Sequence, residues 1–131
     1  MTLVFDTSIL IDLERKSINT IQKLKALSKN YPLPVQVTFI TEFEFLLGIK
    51  EKNPKNKEKA KLFLSLFPVL HTNSRTSDLL AELKHKYDCQ GIPITLADLL
   101  IATICIQENK TLVTKDKNFN NIEELSRIII I

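Results

Sequence analysis

Asp6, Glu44, Asp98 and Asp116 are the residues of this chain whose type and placement fit catalytic chemistry. Each also has a structural explanation. Asp is a favoured residue ahead of a helix, so Asp6 can cap the segment that follows it. Thr41-Glu42-Phe43-Glu44 and Thr95-Leu96-Ala97-Asp98 have the hydroxyl-then-acid spacing of capping boxes, and Asp116 fits a turn. The set says more than its members do. Carboxylates converging on one crevice repel, so they raise one another's pKa or call for positive charge between them. Mg²⁺ and Mn²⁺ are hard cations that take oxygen ligands and keep several waters. Such an ion activates water and stabilises charge on a phosphoryl oxygen. This donor set points toward phosphodiester hydrolysis and leaves phosphatases and other magnesium enzymes open.

Asp98 presses the argument hardest. Its segment carries Leu96, Leu99, Leu100, Ile101, Ile104 and Ile106, so an acid at its start is expected to be half-buried. A carboxylate in that position must be paired, hydrogen-bonded, protonated or metal-bound. No Arg or Lys lies within a helical turn of it.

The elements that must position these acids follow from periodicity and breakers. Thr2–Phe5, Val35–Thr38, Pro68–His71, Thr111–Thr114 and Ile128–Ile131 read as short strands. Helical spacing covers Thr7–Glu14, Ile18–Leu27, Phe39–Ile49, a segment from Pro54 to about Leu66, Ser77–Tyr87 and Thr95–Gln107. Strands alternating with one or two helices predict an α/β fold of three layers, with a central, mostly parallel five-stranded sheet flanked by helices. Ligand crevices in such sheets lie at the carboxyl ends of the strands. Asp6, Glu44 and Asp116 each follow a strand, and Asp98 reaches the same edge if its helix points its N-terminus there.

Length and composition narrow the class. At 131 residues the chain fits one domain, 1–131, with a real hydrophobic core. Cys89 and Cys105 lack metal-ligand spacing and read as buried small hydrophobes in a reducing compartment. No signal peptide or membrane span is visible, so the expected location is the cytoplasm. The net charge of +3 tolerates a polyanionic partner without requiring one. Six lysines between Lys50 and Lys61 read first as a solvated helix face, with a phosphate-contacting patch as the alternative. His71 and His85 read as surface or core histidines, and Tyr31 and Tyr87 lack an interleaved basic–aromatic pattern.

Four stretches resemble the PIN-domain family along nearly the whole chain. Val4-Phe5-Asp6-Thr7-Ser8 resembles its opening strand and first acid. Thr41-Glu42-Phe43-Glu44-Phe45-Leu46-Leu47-Gly48 is similar to its Thr-x-x-Glu element, which selects Glu44 over Glu42. Ala97-Asp98-Leu99-Leu100-Ile101-Ala102 resembles its Asp-x-x-Ile-Ala signature, and Leu112-Val113-Thr114-Lys115-Asp116-Lys117-Asn118-Phe119 its closing element. The resemblance implies an acidic site of Asp6, Glu44, Asp98 and Asp116, with Thr114 as a supporting hydroxyl. It further implies Mg²⁺- or Mn²⁺-dependent hydrolysis of RNA. Asn118 stands where many family members carry another acid, which implies looser binding of a second ion.

Within the family the chain looks most like the VapC-type toxins. That resemblance adds a homodimer and a cognate antitoxin, with Phe43, Phe45, Phe63 and Phe67 as candidate contact residues or ordinary core. A PIN nuclease of RNA processing without an antitoxin would use the same acids. A non-catalytic RNA- or protein-binding member would be expected to lack some of them. A magnesium phosphatase or phosphoacceptor domain would want closely spaced aspartates after the first strand, which Asp6-Thr7-Ser8 does not supply.

Overall fold

Alternation along two strands generates two cores, one on each face of a sheet. The computed structural model describes residues 1–131. Strand β1 (Leu3–Phe5) and strand β4 (Thr111–Thr114) pair in parallel, with Phe5 opposite Val113. Val4 and Leu112 point to one face, where they pack with α5 (Thr76–Cys89) and α6 (Leu96–Gln107). Leu3, Phe5 and Val113 point to the other, against α1 (Thr7–Glu14), α3 (Phe39–Gly48) and α4 (Pro54–Leu64). Helix α2 (Ile18–Ser28) adds Leu24 and Leu27 to that second core. The result is the three-layer arrangement expected.

Strand β2 (Val37–Thr38) pairs with β3 (Val69–Leu70), and β5 (Ser126–Ile129) pairs with β4. A parallel bridge between Val4 and Gln36 joins the two ladders, giving the order β3-β2-β1-β4-β5. Every pairing is parallel. The fifth strand lies two residues earlier than the apolar run Ile128–Ile131 suggests. Register with β4 sets Ser126 opposite Thr111, and the two hydroxyls meet at 2.8 Å. Pairing thus draws in Ser126 and Arg127, which their polarity hides from a hydropathy reading.

Local signals fix the helix starts. The Asn53 side chain accepts from the Asn56 N–H at 2.8 Å, and Pro54 occupies the first turn of α4. Thr38 caps α3 by accepting from Thr41 N–H at 3.3 Å. The capping box read at Thr41–Glu44 is therefore corrected: the cap lies one turn earlier, which frees Glu44 from the helix terminus. Helix α6 carries Leu99, Ile101, Ala102, Ile104 and Cys105 fully buried, and its own cap is Thr95.

One further expectation changes. Cys89 is exposed, beside His85 on the solvent face of α5, whereas Cys105 is buried and its thiol is pushed up to about 12, chiefly by that burial. Tyr87 belongs to the core; its hydroxyl accepts from Glu123 N–H at 2.9 Å and donates to Glu124. Burial would raise the Glu124 pKa, but the Lys86 ammonium and the Tyr87 hydroxyl outweigh it and hold it below the ordinary 4.5. Tyr87→Phe is expected to lower the unfolding free energy by about 1–2 kcal/mol, because it strips partners from a carboxylate and an amide. Since a lowered carboxylate pKa stabilises above it and not below, the deficit should shrink as pH falls through that range. Denaturant unfolding at neutral and acid pH checks both statements, and a deficit independent of pH would contradict the second.

Candidate active site

The register of β1 against β4 makes the first contact of the site. With Phe5 opposite Val113, Asp6 stands across from Thr114 at the carboxyl ends of the two strands. Asp6 N–H continues the ladder to Val113 O at 3.0 Å. Its side chain is 7% exposed and accepts from the Thr114 hydroxyl at 2.7 Å. Although Asp6 precedes α1, its carboxylate makes no side-chain cap there. The cap reading of Asp6 gives way to a carboxylate fixed across the sheet.

Thr114 is fully buried and works in two directions. Its oxygen also accepts the Asp116 backbone N–H at 3.0 Å. One hydroxyl thereby ties the loop after β4 to the acid after β1. Asp116 caps the short 3₁₀ turn Lys117–Asn121, accepting from Asn118 N–H at 2.9 Å, so the turn role read for it holds.

Glu44 reaches the site from α3. The Thr7 hydroxyl, next to Asp6, donates to Glu44 Oε1 at 2.7 Å and lies 3.4 Å from the Thr41 hydroxyl. Thr7 is a residue that the acid-centred reading passed over. Its place directly after Asp6 and its hydroxyl were the available signal. Asp98 is half-buried in the first turn of α6, where its N–H donates to Thr95 at 3.2 Å. The Thr95 cap expected at this helix start is thus present, with the Asp98 amide as its donor.

Electrostatics show that the acids share one field. Asp6 is pushed up by burial and by the charges of Asp98 and Glu44, partly offset by hydrogen bonds from Thr114 and the Thr7 backbone. Asp98 is pushed up by burial and by Asp116 and Glu44, with Thr95 opposing. No lysine or arginine is among the groups acting on either, and none of the four acids forms an ion pair. Lys115, in the loop after β4, pairs with Asp12 at 2.8 Å. The donor set is all oxygen and negative, which suits a hard divalent cation. No three of the chain's acidic, His or Cys side chains close into a ready-made ligand cluster.

The histidines stay outside. His71 is exposed and stacks on Phe39, and His85 lies on α5 beside Cys89. Of the four phenylalanines, Phe45, Phe63 and Phe67 pack together in the second core, and Phe43 is 60% exposed.

Known proteins resemble this chain in sequence and fold. The family model described as PIN domain matches residues 3–125. Ribonuclease VapC2 of Rickettsia felis is 31% identical over 105 residues, covering 80% of this chain and 75% of that one. Ribonuclease VapC1 of the same organism is 31% identical over 136 aligned positions, covering 99% and 97%. Among solved structures, VapBC2 from Rickettsia felis bound to a promoter DNA fragment superposes with a TM-score of 0.85 at 26% identity, covering the whole of both chains. A match across the sheet, the helices and the stretches that carry all four acids makes this chain a member of the PIN-domain family.

Proposed function

We propose that the protein is a metal-dependent endoribonuclease, the VapC-like toxin of a toxin–antitoxin pair, built as a single domain and acting in the cytoplasm. The observation that carries the reading is the acid cluster built on Thr114 and Thr7, in which none of the four acids forms an ion pair and Asp6 and Asp98 are raised by burial and in part by their acidic neighbours. Both curated relatives are named ribonucleases, and the Rickettsia felis structure is of VapBC2, a name shared with the VapBC family of toxin–antitoxin systems. An antitoxin partner and a homodimer follow from that likeness. No helix is long and apolar enough to cross a membrane.

Asp6, Glu44, Asp98 and Asp116 would hold Mg²⁺ or Mn²⁺, which when bound supplies positive charge for the phosphoryl oxygens and an activated water. The chain's own residues do the positioning. Thr114 fixes the orientation of Asp6 and the backbone of Asp116 together, and Thr7 does the same for Glu44.

Purified protein incubated with total RNA and Mn²⁺ or Mg²⁺ is expected to give discrete fragments. Cleavage should vanish with chelator and fall on the order of 10²–10³-fold in Asp98→Asn. Equal fragmentation by wild type and variant would sink the assignment.

A further inference from the structure

A groove leaves the acid cluster along the seam of α1 and α3. It is lined by Glu44, Arg15 and Lys52 and floored by Phe45 and Ile49. Gly48 keeps the floor low, since a side chain there would meet nothing within 4 Å. Beyond Lys52 a second groove continues between α1 and α4, carrying Lys16 and Lys59. The two share Lys52 and Glu14, whose ion pair at 3.3 Å spans the junction. Arg15, Lys16, Lys52 and Lys59 are all exposed, and Glu14 is the single acid among them away from Glu44.

Lys16 follows the last residue of α1 and its C-cap Arg15. Its backbone lies at φ 59°, in the left-handed region that favours glycine. That conformation closes α1: Ser17 N–H donates to Asp12 O at 2.9 Å and Lys16 N–H to Leu13 O at 3.0 Å, which leaves the Lys16 side chain exposed at the helix end, beside the second groove.

We propose that these two grooves form the track of the RNA phosphate backbone, running from Glu44 past Arg15 and Lys52 to Lys16 and Lys59. The inference rests on the nuclease reading and adds the path by which substrate enters. Lysines act as point charges on phosphates, so the track recognises the backbone and leaves base preference to the acidic end. Of the lysine-rich stretch that reads as solvated, Lys52 and Lys59 face this groove.

The test is fluorescence anisotropy of a labelled single-stranded RNA of mixed sequence, with chelator present so that cleavage does not enter. The Lys16→Asn/Lys52→Gln/Lys59→Gln variant should bind roughly tenfold more weakly, and the slope of log affinity against log salt should fall by about 2. Lys84→Gln, on α5 and paired to Asp88, should change neither. Thermal melting verifies that the triple variant is folded, and Lys59→Gln alone, at an exposed site, gives the same signal at smaller size. Unchanged affinity and slope in a wild type that binds and cleaves RNA would overturn the track and leave these lysines to a protein partner. A wild type that neither binds nor cleaves RNA would overturn the nuclease reading and the track together.

Discussion

Asp6→Asn is expected to cut RNA cleavage sharply while making the metal-free protein more stable. Burial and the charges of Asp98 and Glu44 raise the Asp6 pKa above its ordinary 3.8. The folded protein thus holds this proton more tightly than the unfolded chain does. Stability is gained as pH falls through the raised pKa and lost as pH rises through it. At neutral pH an ionised Asp6 costs stability, and asparagine removes that cost while keeping an oxygen for the Thr114 hydroxyl. Activity should fall on the order of 10²–10³-fold. Added Mn²⁺ should reverse the order of thermal midpoints, because ligand binding stabilises wild type by about 2.7 kcal/mol at a hundred times its dissociation constant. A destabilised, metal-responsive Asp6→Asn protein would contradict this.

Thr114→Val should act through both fold and site. The side chain is fully buried and makes two hydrogen bonds, to Asp6 at 2.7 Å and from Asp116 N–H at 3.0 Å. Valine fills the space but leaves a buried carboxylate and an amide without that partner. The expected loss of unfolding free energy is about 2–3 kcal/mol. Activity should fall about 10–100-fold, as for residues that orient metal-binding groups. Thr114→Ser retains the hydroxyl and should recover most of the activity, whereas a serine variant as inactive as valine would show that the methyl group matters. Denaturant unfolding and cleavage rates measured on both variants separate the two effects.

The strands that carry the site were legible because they are short, apolar and followed by acids. Leu3–Phe5 and Thr111–Thr114 are buried on both faces, so hydropathy alone marks them. Asp98 was legible as half-buried from the apolar residues around it. The fifth strand was harder, since its pairing with β4 is set by backbone register and includes Ser126 and Arg127. The α3 cap was misplaced because Thr38 and Thr41 are both hydroxyl residues one turn apart, and only the backbone shows which precedes the helix. Periodicity could not choose between Glu42 and Glu44, two residues apart on one helix. The PIN resemblance selects Glu44, and in the structure it is Glu44 that accepts from the hydroxyl of Thr7, next to Asp6. The bonds of Thr7 and Thr114 are tertiary, and no local pattern announces them.

The central claim is that these carboxylates hold the ion on which RNA hydrolysis depends. The direct measurement is a Mn²⁺ titration in which ion binding by calorimetry and RNA cleavage rate are followed on the same protein. In wild type the two should rise together, and in Asp98→Asn both should be lost or displaced to much higher Mn²⁺. Cleavage that persists in excess chelator, or that Asp98→Asn performs at the wild-type rate without binding the ion, would contradict the claim.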